Sequence, residues 1–353
     1  MKYAPFVVPT LCRSEHFIRM IESLKRNSWA CYTDVVVSVD YPLSEQDRKG
    51  WQEICDYLDR GDFSAFKQMI VFKQTKNLGV GGNINYLNNY IIQNYDRWIR
   101  CDDDCEFSPN FLEYMDKCLD WFEDDEDVVA VTGYSYPIDW SVSEGATCMK
   151  QQFNVASWGL GYWVKKHESA AKYIRSGKML DDAEMVIRTG RHKKMSKRCY
   201  VQYFNQVVNN RRGTVKALLT GVTDISLRAY LACQDKYCIS PVLSKVKNHG
   251  FDGSGAVCQN TVGMDDSSTE SYDYQKQEID TSTHFDLVLN DPQLLHENKL
   301  KMDAFDGVSK RHLLYTNIKF KIVKCFGVKF ARRLDDTLVS IVEAIGLRKR
   351  KLS

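Results

Sequence analysis

The sequence has no apolar run long enough to cross a membrane and no excess of either charge. Lys and Arg number 48 against 46 Asp and Glu, a formal net charge of +2. This near-balance leaves no electrostatic footprint of a nucleic-acid binder, and the missing run leaves no candidate for a spanning helix. Twelve cysteines are present, but no second Cys or His pair completes a zinc ribbon around Cys101-x3-Cys105 or Cys233-x4-Cys238. Cys31, Cys55, Cys118 and Cys233 sit in apolar, element-like segments, where a free thiol behaves as a small hydrophobe. The opening Met1-Lys2-Tyr3-Ala4-Pro5-Phe6-Val7-Val8-Pro9 is too short and too interrupted for a secretory h-region. A reduced, cytoplasmic setting is the expectation. What is present is globular: 44% hydrophobic and 27% charged residues over 353 positions, enough for one large domain or one and a half.

Strand and helix patterns alternate through the first hundred residues. An apolar strand at 4–9 runs into Thr10-Leu11-Cys12-Arg13, and Ser14-Glu15-His16 opens a helix with Phe17, Ile18, Met20, Ile21 and Leu24 at helical spacing. Asp34 to Val39 is a β-branched run of the buried parallel type and closes on Asp40. A helix is expected around 45–59, then a third strand at Met69 to Gln74. That strand leads into Asn77-Leu78-Gly79-Val80-Gly81-Gly82 and a further helix. The glycines suit a close backbone approach to a ligand or, equally, a tight β-to-α turn. They match neither GxxxxGK[ST] nor an intact GxGxxG. The alternation predicts a doubly wound, mostly parallel, Rossmann-like sheet.

The stretch from Trp98 to Pro109 carries the chemistry. It reads as a fourth strand over Trp98 to Asp104, then Ser108-Pro109 and an amphipathic helix with Phe111, Leu112, Met115 and Leu119. Strand side chains alternate between faces, so Asp102 and Asp104 are expected on one face and Asp103 on the other. Three adjacent carboxylates are costly unless a cation or hydrogen-bond donors compensate them. At the carboxyl end of a strand in an open α/β sheet, a divalent metal holding a phosphate is the economical reading. Hard oxygen ligands suit Mg2+ or Mn2+. The alternative is a solvated acidic turn that caps the next helix. Asp40, at another strand end, is placed to accept hydrogen bonds from a ribose or base edge.

In this order, Thr10/Arg13, Asp40, Asn77-x-Gly79 and the acid triplet resemble the nucleotide-sugar half of GT-A glycosyltransferases. Asp102 through Tyr114 further resembles the acidic motif of the N-acetylglucosaminyltransferase I type. Val128 to Gly133 and Ser157-Trp158-Gly159-Leu160-Gly161-Tyr162-Trp163 continue the likeness. The segment Ser240 to Gly255, with Asn248-His249-Gly250-Phe251-Asp252-Gly253-Ser254-Gly255, is similar to bacterial glycosyltransferases of surface polysaccharide synthesis. The resemblance covers about residues 4–258. It implies a GT-A catalytic domain at 1–258, with a linker and a helical, basic C-terminal extension at 259–353. It implies Asp104 as direct metal ligand, with Asp102 and Asp103 facing the sugar, the ribose or metal-bound water. Asp40 would hold the uridine or its ribose, with Thr10 and Arg13 lining the nucleotide pocket beside Asn77 and Gly79. Asp102 stands where the eukaryotic type has Glu, and Cys105 where it has Leu.

The implied activity is a metal-dependent, inverting hexosyl- or N-acetylhexosaminyl-transfer from a nucleotide diphosphate sugar, UDP-linked, to a hydroxyl of a glycan or lipid-linked glycan. Two alternatives stand beside it: a retaining transferase or sugar nucleotidyltransferase on the same fold, and a noncatalytic metal- or glycan-binding module. Trp158 is a candidate aromatic wall for a sugar ring, or core packing. The resemblance places the general base at the start of a helix, where Asp224 sits in Thr223-Asp224-Ile225-Ser226. Thr223-Asp224 is also an ordinary helix start, and Asp181 and Asp182 are rivals. His249 is a candidate metal or pyrophosphate contact, or a structural histidine. Residues 134–157 read as a polar, partly mobile connection, Gln259 to Tyr274 as a linker, and the basic run from Arg188 to Arg198 as a solvated face or a contact for a diphosphate-linked acceptor. Lys319 to Arg333 alternates bases with apolar groups, and Arg348-Lys349-Arg350-Lys351 ends the chain. Either a membrane surface at the inner face of the cell or a packed terminal helix fits that pattern.

Overall fold

The computed structural model describes residues 1–153, 155–209, 221–255 and 277–344. The 258/259 boundary, the expected linker at 259–274 and the basic end at 348–351 lie outside the described residues. The chain divides into two compact units: one takes residues 1–151, 155–167 and 237–298, the other mainly 168–236 and the chain from 299 on.

In the first unit β1 (Phe6–Thr10), α1 (Ser14–Lys25), β2 (Asp34–Val39), α2 (Glu45–Arg60), β3 (Gln68–Lys73), α3 (Gly79–Asn94) and β4 (Arg97–Arg100) follow one another as the pattern predicts. Next come β5 (Cys105–Phe107), α4 (Phe111–Trp121), β6 (Val128–Thr132), β7 (Cys148–Gln151), β8 (Leu160–Trp163), and later β9 (Tyr237–Pro241) and β10 (Val246–Asn248). Among the described residues, eight strands form one sheet in the order β3-β2-β1-β4-β8-β6-β9-β7, and β10 pairs with β5 in a separate ribbon. β1 lies parallel to β2 and β4, and β2 parallel to β3; β8 and β7 run antiparallel to their neighbours. The fold is α/β of the GT-A kind with a mostly parallel sheet.

Composition explains the layers. Val35, Val36, Val37 and Val39 are fully buried because β2 is covered on both faces. The apolar stripe of α1 (Phe17, Met20, Ile21, Leu24) is wholly inside, each such side chain contributing roughly 1.5–3 kcal/mol of burial. Phe111, Leu112, Met115 and Leu119 of α4 are buried in the same core.

Two expectations are corrected here. β4 ends at Arg100, and Asp102 to Asp104 form a turn between β4 and β5, so the alternation that put Asp102 and Asp104 on one face does not operate. Three carboxylates in a ladder would meet no donors, whereas the turn lets side chains from elsewhere reach each of them. The connection at 134–157 is also more built than its polarity suggested. It holds β7, and Tyr134, Tyr136 and Trp140 are buried, with Trp140 Nε1 donating to Ser135 Oγ at 2.9 Å.

The second unit is helical: α5 (Val164–Arg175) runs into it, followed by α6 (Lys178–Asp181), α7 (Ala183–Arg188) and α8 (Lys197–Val208). Helices Asp224–Gln234 and Lys310–Ala344 complete its core, where Phe204, Val207, Ala232, Val323, Val328 and Ala331 meet. The basic run from Arg188 to Arg198 does not serve only as a solvated face. Arg191 donates to the carbonyl of Cys233, and Lys194 pairs with Asp235. Among the described residues no helix is long and apolar enough to cross a membrane.

Candidate active site

Three strand ends meet on one edge of the sheet. β1 delivers Thr10 and, three residues on, Arg13; β2 delivers Asp40; β4 delivers the acid turn. From β1 the chain winds outward to β2 and β3, then returns to place β4 on the other side of β1. The winding therefore reverses between β1 and β4, and the crevice beyond such strand ends is where open α/β sheets bind ligands.

Arg13 is the hub of the acid turn. Its guanidinium donates to Asp103 and lies 2.9 Å from Asp104 Oδ2 through Nη1. Thr10 Oγ1 donates to the other oxygen of Asp103 at 2.7 Å. Burial pushes the Asp103 carboxyl above the ordinary carboxylate range, and Arg13 and Thr10 pull it only part of the way back. Asp102 is met by Arg100, whose Nη2 donates to Oδ1 at 3.2 Å. Burial raises that carboxyl too, against the pull of Arg100.

The ribbon of β5 and β10 brings in a segment from about 145 residues further along the chain. Asn248 Nδ2 donates to Asp104 Oδ1 at 3.0 Å, and the backbone N–H of His249 donates to the Asp104 carbonyl at 2.8 Å. Gly250 presses its backbone against the carboxylate: a Cβ there would stand 2.1 Å from Asp104 Oδ2. Only glycine fits. The following loop is fastened to α1, where His16 Nε2 lies 2.9 Å from Asp252 Oδ2 and Ser254 Oγ donates to Asp252 Oδ1 at 2.6 Å. Burial opposes ionisation of Asp252, but Ser254 and His16 hold its carboxyl down to about 2.

The other expected donor residues are each held by contacts of their own. Asp40 is buried, and its Oδ1 accepts the N–H groups of Tyr41 at 2.9 Å and Leu78 at 2.8 Å. Asn77 Nδ2 donates to the Tyr41 carbonyl at 2.6 Å, and its Oδ1 accepts from Gly79 at 3.0 Å. These bonds tie the β2 end to the start of α3, where Gly79 takes φ +69 with open space beyond its Cα. Trp158 is half-buried, edge-on to Tyr134 (4.6 Å between centroids) and to Phe251 (5.8 Å). The ring of His249 is held by Glu106, with Nε2 at 2.8 Å from Oε2, and that bond draws the Glu106 carboxyl below its ordinary value.

Arg100, Asn248 and Gly250 are the site residues that sequence reading did not single out. Asn248-x-Gly250 was a visible signal, but its partner Asp104 lies far off in the chain. Asp224, Asp181 and Asp182 belong to the second unit. Asp224 begins helix Asp224–Gln234 directly after the N-cap Thr223, within the box that Ser226 closes, and accepts from Arg228. Asp181 lies 3.1 Å from Arg332 Nη1, and Asp182 accepts from the Tyr173 hydroxyl at 2.6 Å.

Among the described residues, no three His, Cys, Asp or Glu side chains converge on a point that would cage a metal. The donor set nevertheless fits a hard cation of the magnesium or manganese kind. Such ions bind through one or two carboxylates and fill their remaining positions with water and substrate phosphate. Asp104 and Asp102 offer oxygen only, beside a crevice at the strand ends.

The model of Glycosyl transferase family 2 matches residues 6–183, half of the chain. The chain belongs to this family. It is a glycosyltransferase, and the matched span holds Thr10, Arg13, Asp40, Asn77, Gly79, the acid turn and Trp158. Asn248, His249 and Gly250 lie outside the matched span. Family membership sets aside the noncatalytic module. The crystal structure of S. aureus TarS aligns with 48% of this chain and 30% of that one, at 15% identity and a TM-score of 0.32. The chain thus spans less than a third of TarS. No curated protein matches it.

Proposed function

We propose that this glycosyltransferase moves a sugar from a UDP-linked donor to a hydroxyl of a growing surface glycan, free or lipid-linked, with inversion at the anomeric carbon. It would work in the cytoplasm or at the inner face of the cell membrane. The observation that carries the reading is the convergence of Thr10, Arg13, Asn248 and Gly250 on Asp103 and Asp104 at the reversal point of the sheet. Ion pairs that serve folding alone have no need of that crevice. The likeness of the acid turn to the N-acetylglucosaminyltransferase I type supports the uridine donor, with Asp40 and Asn77 beside the nucleoside.

Asp104, with Asp102, would hold Mn2+ or Mg2+, which supplies charge neutralisation for the departing diphosphate. Arg13, which already faces Asp103 and Asp104, would share that task once diphosphate arrives. Asp224 would take the proton of the acceptor hydroxyl as its oxygen bonds to the anomeric carbon and the bond to diphosphate breaks. His249, whose ring Glu106 holds, would support the ribbon or contact the metal or pyrophosphate.

Titration calorimetry with a panel of nucleotides and nucleotide sugars, with and without Mn2+, tests the donor site. Metal-dependent UDP binding that disappears in Asp104→Ala is expected. Absence of nucleotide binding under every condition overturns the assignment. With a turnover assay in hand, Asp224→Asn should lower kcat by about 10²–10⁴ while donor binding persists. Unchanged turnover would return Asp224 to a helix-start role, and a product of retained configuration would refute inversion.

A further inference from the structure

Helix Lys310–Ala344 has two unlike faces. Thr316, Val323, Val328 and Ala331 are buried in the second unit, and the helix is fastened there by side chains. Lys319 Nζ donates to Asn205 Oδ1 at 2.9 Å, Tyr200 donates to Asn317 at 3.0 Å, and Arg332 Nε donates to the Val207 carbonyl at 2.8 Å. At Gly327 the backbone leaves helical geometry, and Glu184 accepts the next N–H at 2.9 Å. The inward face is therefore fully used.

The outward face is apolar. Leu314 (61% exposed), Ile318 (47%), Phe326 (64%), Phe330 (46%), Leu338 (53%) and Ile341 (51%) lie in the open. Helical spacing groups Leu314, Ile318 and Phe326 before Gly327, and Phe330, Leu338 and Ile341 after it. The Phe326 and Phe330 rings, 5.1 Å apart across the kink, join the stripe of the first half to that of the second. Between residues 310 and 334 the sequence carries eight Lys or Arg and no Asp or Glu. Lys310, Arg311, Lys321, Lys324, Lys329 and Arg333 are exposed. Solvent exposure of six large apolar side chains in one stripe marks an interaction surface rather than ordinary scatter.

We propose that this face binds the surface of an anionic lipid bilayer, lying in the interface with its apolar stripe in the headgroup boundary. The charge run is complementary to acidic headgroups, which attract basic segments near the surface. Insertion needs apolar side chains as well, and these distinguish a bilayer from a purely polyanionic partner. The helix is too polar to span, so it lies on the membrane. This inference does not depend on the donor or on the catalytic assignments.

The test is co-sedimentation of the full chain with phosphatidylcholine vesicles and with vesicles containing 30% phosphatidylglycerol. Binding to the anionic vesicles should be at least tenfold tighter and should weaken in 0.5 M salt. Phe326→Ser/Phe330→Ser and, separately, Lys321→Glu/Lys324→Glu should each reduce it tenfold or more while circular dichroism and thermal unfolding stay as in the wild type. The charge pair serves as the second variant if the Phe pair misfolds. Equal binding to both vesicle types, no binding to either, or undiminished binding by folded variants overturns the proposal. So does concentration-dependent dimerisation that the Phe variants abolish without vesicle binding by the parent chain, which assigns the face to a second copy.

Discussion

Removing the charge of Arg13 is the sharpest test of how the acid turn is held. Arg13→Met keeps the apolar stem but leaves Asp103 and Asp104 facing each other with Thr10, Asn248 and the weak thiol donor of Cys105 as side-chain partners. The acids' side chains are 8–9% exposed and that of Arg13 is 21% exposed, so solvent gives little compensation. At an effective dielectric of about 20, a charge pair at 4 Å interacts by roughly 4 kcal/mol before desolvation. Deleting one partner of a buried pair costs about 3–5 kcal/mol. At about 2–4 °C per kcal/mol for a domain of this size, the midpoint of thermal unfolding should fall on the order of 10 °C. The pH dependence follows from Asp103, whose folded carboxyl already lies above its ordinary value and would rise further without Arg13. The folded variant then keeps a proton that the unfolded chain has released, so its stability falls as pH rises through that window. Differential scanning calorimetry in metal-free buffer should show a larger loss at pH 8 than at pH 5, with Arg13→Met/Asp103→Asn recovering part of it. A midpoint within about 2 °C of wild type at pH 8, or a loss independent of pH, would refute the reasoning.

Gly250→Ala should push the loop off Asp104, because the added Cβ stands 2.1 Å from its Oδ2. Nucleotide binding by calorimetry should weaken at least tenfold with far-UV dichroism unchanged, and wild-type affinity would show that the close approach has no bearing on the site. Asp116 is a stability prediction away from the site. It is fully buried, its Oδ1 accepts from Ala4 at 2.8 Å, and Oδ2 has no hydrogen-bond partner. Burial pushes its carboxyl up to about 7, so the folded chain holds a proton that the unfolded chain loses near pH 4. Stability should therefore decline between about pH 4 and 7 and level off above. Asp116→Asn should raise stability at pH 8 by on the order of 2–4 kcal/mol and flatten that decline in denaturant titrations; a destabilised variant would contradict it.

The sequence by itself determined the order of the first four strands and their helices. Each depends on local periodicity and on turn chemistry next to it: the valine run of β2, the α1 stripe, the Gly79 turn. Its resemblance to GT-A glycosyltransferases also marked Thr10, Arg13, Asp40, Asn77 and the acid triplet, in that order, as one expected constellation. Tertiary structure alone decided how these groups are paired. Periodicity carried β4 through the acids, yet the ladder stops at Arg100, since only a turn lets Arg13, Arg100 and Asn248 reach three adjacent carboxylates. The antiparallel placement of β8 and the β5–β10 ribbon were equally hidden, because strand direction and partner depend on contacts far apart in sequence. So was the division of the long C-terminal helix into a packed face and an open one. Its alternating bases and apolar groups look alike in the chain, and only the neighbours across the helix distinguish Val323 from Phe326.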